Sequence, residues 1–297
     1  MTFVEYIARL DIRLQSVLNA VMRAGLFISD AVKIADTGKA GTKNAYGEEQ
    51  AALDVIANDI MDGALKGCEN VGFVASEELD KPLRLHENGV FTVCHDPIDG
   101  SSLIDVNLSV ATIVGIYPLI DLVGRTPREQ VAALFFLYGP RTTMMFTSGD
   151  GIHEFTLRDG EFVLTKSDVK ISDNGKMFAP GNLRAAIERG DYVKLVEYWM
   201  REQYTLRYSG GMVPDINQIL IKGGGVFTYP PYSDMPDGKL RLLFECGPMA
   251  MLIEQAGGIA TDGKTPILDK KITDMTQRTP IFAGSKNEVE KVMSMLQ

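Results

Sequence analysis

The chain has 297 residues, enough to bury a substantial core in two lobes or in one large α/β domain. Hydrophobic residues make up 45% and charged residues 23%, which excludes disordered and fibrous classes. A formal net charge of −9 argues against a general nucleic-acid binder, which needs a basic stripe, but not against a small phosphorylated ligand that reads local charge.

Taken in order, the N-terminus lacks both a basic region and a continuous apolar stretch, and Glu5, Asp11 and Asp30 are wrong for a transit peptide. No apolar run approaches the roughly 20 residues that span a bilayer. A cytoplasmic location with no membrane partner is the expectation. Val4, Ile7, Leu10, Leu14, Val17, Leu18 and Val21 recur at helical spacing. Residues 36–46, polar with Gly and Lys, read as a mobile loop, and a second helix is expected from near Gly47 with Leu53, Ile56, Ile60 and Leu65 inward.

Runs of strand length follow at 71–75, 90–94, 110–117 and 131–138, the middle two rich in β-branched residues as central strands are. Residues 144–148, 152–157 and 161–165 read as antiparallel strands, the last two joined through Arg158-Asp159-Gly160. A composition change at 172–175 suggests a boundary between an N-terminal lobe (1–174) and a C-terminal lobe (175–297). Beyond it, helices over 184–203 and 248–256 alternate with strands over 226–229, 240–244 and 281–283. Ser285-Lys286-Asn287-Glu288 has the capping-box pattern of a helix start. The mixture predicts a layered α/β fold with mixed sheets. Cys68, Cys94 and Cys246 are too few and scattered for a disulfide framework or zinc site and read as buried thiols.

Three predicted strands end in acid: Glu77-Glu78 after the first, Asp96 and Asp99 after the second, and Glu245 after 240–244. In open α/β sheets ligands gather at such ends. Carboxylates brought that close repel unless a cation lies between them, and an all-oxygen set favours Mg²⁺ or Mn²⁺. Pro97 stiffens the turn that would aim Asp96 and Asp99 and present the Ile98 carbonyl. Gly100-Ser101-Ser102 then offers backbone N–H groups where a helix begins, the feature that receives phosphate oxygens. Glu-Glu or Asp-x-x-Asp alone is usually a solvated turn. Asp-Pro-Ile-Asp-Gly-Ser-Ser directly after an apolar strand, with Ser-Glu-Glu upstream, is far more specific.

These segments, together with Tyr208-Ser209-Gly210-Gly211-Met212-Val213-Pro214-Asp215 and the stretch from Gly238 to Ala250, resemble the class 1 fructose-1,6-bisphosphatase and sedoheptulose-1,7-bisphosphatase family over about residues 47–285. The resemblance implies a layered αβαβα subunit, usually in a homotetramer, and a sugar bisphosphate substrate. It implies metal ions on Glu77, Asp96, Ile98, Asp99 and Glu245, and water activation by Asp54 and Glu78 beside Asp99. It also implies the reacting phosphate on Gly100, Ser101 and Ser102 next to Asp99. For the far phosphate the candidates are Arg207, Tyr208, Tyr229, Lys239 and Arg241, with Asn182 as a further substrate contact; in the family the residue matching Arg207 reaches into the neighbouring subunit's site.

Departures bear on subfamily and control. The segments at 178–185 and 204–208 look more like sedoheptulose bisphosphatases. Thr37 and Thr42 stand where plastid relatives carry a redox cysteine pair, and Val90-Phe91 where AMP-inhibited ones carry Lys-Tyr. Both argue against those controls. Two other readings compete: an inositol-phosphate or nucleotide monophosphatase, whose later Trp-Asp metal motif is absent because Trp199 precedes Met200, and a non-catalytic sugar-phosphate sensor.

Overall fold

The computed structural model describes residues 1–34, 39–43, 49–79, 81–118 and 120–296, and only the backbone of 39–43 and 49–51. A short helix α1 (Phe3–Ile7) opens the chain, with Thr2 and Glu5 capping each other's backbone N–H, and the long α2 (Ile12–Ile34) follows. The one helix expected here is therefore two. Asp11 Oδ1 accepts the Arg13 N–H at 2.8 Å, as an N-cap does, and starts α2 afresh.

Strands β1 (Lys39–Lys43) and β2 (Glu49–Ala51) pair antiparallel ahead of α3 (Ala52–Lys66). The loop expected over 36–46 thus contains a strand. Its remainder, with Thr37 and the expected helix start at Gly47, lies outside the described residues.

Eight strands then build one sheet: β3 (Val71–Ser76), β4 (Leu83–Arg84), β5 (Phe91–Asp99), β6 (Val110–Tyr117), β7 (Ala132–Tyr138), β8 (Thr142–Thr147), β9 (His153–Arg158) and β10 (Glu161–Lys166). Their spatial order is β10-β9-β8-β7-β6-β5-β3-β4, with β3 and β5 parallel and the other neighbours antiparallel.

The rest of the chain supplies β11 (Met177–Pro180), α4 (Gly190–Arg201), β12 (Thr205–Leu206), α5 (Met212–Lys222), β13 (Val226–Tyr229), β14 (Leu240–Arg241), α6 (Gly247–Gln255), β15 (Ile259–Thr261), β16 (Arg278–Thr279), β17 (Ile281–Gly284) and α7 (Lys286–Met295). A mixed five-stranded sheet runs in the order β12-β11-β13-β17-β15. Three expectations change here. The helix over 184–203 splits into a 3₁₀ turn, Arg184–Ile187, and α4. The strand over 240–244 stops at Arg241 and continues as a π-helical turn, Leu242–Cys246. The expected capping box does not form: Ser285 Oγ accepts from Gly225 N–H at 3.1 Å, and Glu288 accepts from Gly175 N–H and the Tyr204 hydroxyl.

Three cores set the layering. Leu18, Val21 and Ala24 of α2 and Ala57 and Met61 of α3 pack on Val74, Val114 and Phe136 of the first sheet. The approach is close enough that a Cβ on Gly25 would meet the Phe136 ring at 2.5 Å. Between the sheets, Ile216 and Ile219 of α5 and Met249 and Leu252 of α6 meet Ile113, Phe135, Phe227 and Ile281. Outside the second sheet, Tyr192 and Trp199 of α4 and Val289 and Val292 of α7 cover Phe178, Val226 and Phe282. The result is an αβαβα stack. Covering both faces of the first sheet explains why β6 is buried along its whole length and reads as an unbroken apolar run. Each large side chain buried in these cores contributes about 1.5–3 kcal/mol. Among the described residues no helix is long and apolar enough to cross a membrane.

Candidate active site

Because β3 and β5 are parallel, their carboxyl ends lie at one edge of the sheet, with Ser76 opposite His95. Glu77 follows β3 at once, its N–H bonded to the His95 carbonyl at 3.1 Å. β5 does not stop at Cys94, as the sequence suggests, but runs through Asp96-Pro97-Ile98-Asp99. It does so with a bulge: Asp96 pairs with Ile113 and Asp99 with Ala111, three steps on one strand against two on the other. Pro97 sits in that irregularity, where a missing N–H costs no ladder bond. Its carbonyl accepts from Thr112 Oγ1 at 2.7 Å, and the Ile98 N–H donates to Asp96 Oδ1 at 3.0 Å. Gly100 takes the left-handed φ of 78° that turns the chain into a 3₁₀ helix, Ser101–Val106.

Glu245 arrives from the C-terminal half on the π-helical turn, which folds its carboxylate back to accept the Arg241 N–H at 2.6 Å. Asp54 is on the first turn of α3. Asp99 reaches between the layers. Its Oδ2 accepts the Val213 N–H at 2.8 Å, at the start of α5, so this carboxylate caps a helix from another part of the chain.

One oxygen each from Glu77, Asp96 and Glu245 lie within 4.8 Å of one another. Burial, then the neighbouring charges of Glu77, Glu245, Asp99 and Asp54, push the Asp96 carboxyl well above its usual range. Glu245 is pushed up to about 8 by burial and by Glu77, with Arg241 opposing. Asp99 is raised by burial but eased by the amides of Val213 and Met212 and by Lys239. The Arg241 guanidinium, 3% exposed, pairs with Glu77. Three carboxylate oxygens at this spacing, two of them on buried residues, fit a hard divalent ion, which would relieve the repulsion that raises Asp96 and Glu245.

A cavity of about 230 Å³ opens over these groups. Of the residues anticipated from sequence, Asp54, Glu77, Glu78, Asp96, Ile98, Asp99, Gly100, Ser101, Ser102, Tyr229, Lys239, Arg241 and Glu245 line it. Asn182, Arg207 and Tyr208 do not. Asn182 Oδ1 accepts the Arg184 N–H at 2.7 Å in a local turn, Arg207 donates its N–H to Phe178, and Tyr208 is 60% exposed. Gly181, Gly210, Gly211, Met212, Phe227 and Leu240 line the cavity without having been anticipated. For Gly210 to Met212 a signal was present in the Tyr208–Asp215 motif. Trp199 stacks on Phe178 in the outer core, its ring centroid 4.7 Å away, and is not part of the cavity.

Residues 5–167 match the family model for the fructose-1-6-bisphosphatase N-terminal domain, and residues 171–297 that for the C-terminal domain. The chain is 48% identical to a class 1 fructose-1,6-bisphosphatase of Geotalea uraniireducens, over 92% of this chain and 88% of that protein. It is 44% identical to a chloroplastic sedoheptulose-1,7-bisphosphatase of Triticum aestivum, over 94% of this chain and 71% of that one. The crystal structure of Leishmania major fructose-1,6-bisphosphatase in holo form superposes with a TM-score of 0.94 at 31% identity, covering 99% of this chain and 98% of the other. With both domain models matched across almost its whole length, the chain belongs to the fructose-1,6-bisphosphatase family.

Proposed function

We propose that the protein is a class 1 fructose-1,6-bisphosphatase that hydrolyses the C1 phosphate of a ketose bisphosphate by attack of an activated water. The observation that carries this reading is the Glu77–Asp96–Glu245 cluster standing in one cavity with the Gly100–Ser102 backbone and Lys239. Glu77, Asp96, Asp99, Glu245 and the Ile98 carbonyl would hold Mg²⁺ or Mn²⁺, which when bound neutralises phosphate charge and lowers the pKa of a coordinated water.

The chain's own groups do the rest. Asp54 or Glu78 accepts the water's proton. The N–H groups of the Gly100-Ser101-Ser102 turn and the two serine hydroxyls receive the phosphate oxygens. Lys239 supplies a point charge, Tyr229 a rigid hydroxyl and Arg241 a guanidinium for the far phosphate. Arg207 lies outside this protomer's cavity, so a role for it depends on a neighbouring subunit in a homo-oligomer.

The test is phosphate release from fructose 1,6-bisphosphate with and without Mg²⁺. Asp99→Ala should lower it far more than tenfold; a loss smaller than tenfold would sink the assignment. A second reading, sedoheptulose 1,7-bisphosphate as the better substrate, is favoured by the wheat relative. Both sugars present the same reacting end, and kcat/KM in direct competition separates them. Preference for inositol monophosphate, or no turnover of any bisphosphate, would point instead to the monophosphatase or sensor readings.

A further inference from the structure

The two adjacent glutamates after β3 answer to different elements. Glu77 is tied through its N–H to the His95 carbonyl of β5, the strand that carries Asp96 and Asp99. Glu78 is tied the other way. Its N–H donates to Ser76 Oγ at 3.2 Å, and the Ser76 hydroxyl donates to Asn58 Oδ1 at 2.7 Å. Asn58 is on α3, one turn beyond Asp54, so the two point from the same helix face towards the sheet. Ser76 and Asn58 are 1% and 8% exposed, and no catalytic or binding role has been given to either.

We infer that Asn58 and Ser76 are a positioning pair that sets the Glu78 backbone, and with it the Glu78 carboxylate, against Asp54. A serine hydroxyl accepting from the residue two ahead is a common local turn that by itself leaves the hydroxyl hydrogen free to rotate. Asn58 fixes it. With the hydrogen committed to Asn58, a lone pair of Ser76 Oγ faces the Glu78 N–H, and the relay Asn58–Ser76–Glu78 fastens the loop to the helix that holds Asp54. The Asn58–Ser76 bond is buried, so water competes poorly for it. The metal-side glutamate is thereby registered to the metal-side strand, and the proton-accepting glutamate to the helix of the other proton acceptor.

This rests on the proposed reaction, in which Asp54 and Glu78 take the proton. The experiment uses steady-state kinetics on fructose 1,6-bisphosphate with saturating Mg²⁺, well below the melting temperature of the least stable variant. Asn58→Ala and Ser76→Ala are expected to lower kcat about 10- to 100-fold, the usual loss when a partner that orients a working group is removed, with KM within about twofold. Because both act through one relay, the double variant should be no more than about twofold worse than the weaker single. Ser76→Cys keeps the shape with a poorer donor and acceptor, and should fall about 3- to 10-fold, which serves if an alanine variant does not fold.

Lower melting temperatures with unchanged kcat, or single effects that multiply in the double, would overturn the inference. So would a Ser76→Cys enzyme indistinguishable from wild type. Asp54→Asn and Glu78→Gln separate the two levels. If they abolish turnover while Asn58→Ala and Ser76→Ala leave it intact, only the positioning pair is wrong. If they too leave turnover within tenfold of wild type, the proton-acceptor reading fails and takes this inference with it.

Discussion

On one wall of the cavity, Glu77, Asp96 and Glu245 face one another, and burial with the neighbouring carboxylates raises the proton affinity of Asp96 and Glu245. On the other, Asp99 is buried too, yet it is met by the first amides of α5 and by Lys239, and the Gly100–Ser102 turn beside it presents N–H groups. Burial acts alike on both walls, so the difference lies in the partners. The first wall keeps a residual repulsion beyond what Arg241 and the Ile98 N–H relieve, and a divalent cation would remove it. The second already has its donors and adds room for an anion. In the proposed reaction the two walls serve opposite charges.

The harshest way to break that contrast is Asp96→Asn. It should lower kcat/KM by about 10³-fold, since several kcal/mol of charge stabilisation go with the carboxylate and each 1.36 kcal/mol is tenfold. The same change should raise the metal-free melting temperature at neutral pH by about 3 °C, because the folded state no longer has to keep a proton on a carboxyl raised above its ordinary range. Losses in both activity and metal-free stability would show the wall to be held together by something other than an awaited cation. On the opposite side, Lys239→Ala should raise KM about 10- to 100-fold while kcat stays within about threefold, as expected for a group that binds the far phosphate alike in ground and transition states. A collapse of kcat instead would move Lys239 to the reacting end.

Smaller in size, but diagnostic of the acidic wall, is the pH dependence of the metal-free protein. Glu245 titrates at about 8 folded against an ordinary 4.5. Between those values the folded state holds a proton that the unfolded chain has released, so this stability is full below pH 4.5 and drains away as pH rises through 8. Asp96, raised in the same direction, adds to the slope. Thermal melts from pH 5 to 8.5 should fall by on the order of 5 °C, and Mg²⁺ should restore most at the alkaline end, where the carboxylates are ionised. A flat profile would deny the crowding.

The mildest effect is expected at Asp215, whose carboxyl burial lifts to about 6 while its Oδ1 accepts the Ser209 N–H at 2.9 Å. Asp215→Asn keeps that acceptor, so kcat/KM should stay within about threefold. Stability above pH 6 should rise by about 1 kcal/mol, a gain that vanishes below pH 4. Urea melts at two pH values measure it.

The acidic wall was legible in the sequence because its residues follow apolar strands in short, specific strings. The route of the chain between them was less so. Asp96 and Pro97 are poor strand formers, so the residue pattern ends a strand at Cys94, whereas a bulge carries β5 on to Asp99. Leu240 to Phe244 reads as a strand, but an apolar run this short does not by its pattern exclude a helical turn, and from Leu242 it winds into a π turn whose Glu245 carboxylate accepts the Arg241 N–H. Ser285 and Glu288 had a capping pattern, but tertiary donors at Gly225, Gly175 and Tyr204 took both side chains. The Asn58–Ser76 bond spans 18 residues and carries no local signature at all.

The bond from Asp99 to the head of α5 carries one more consequence. That helix lies between the two sheets, its Ile216 and Ile219 sharing one buried cluster with Ile113 and Phe135 of the first sheet and Phe227 of the second. Sliding the layers apart at this edge therefore strains the bond that holds the Asp99 carboxylate. The spacing of the layers at this edge and the placement of the Asp99 carboxylate are thus tied through one hydrogen bond.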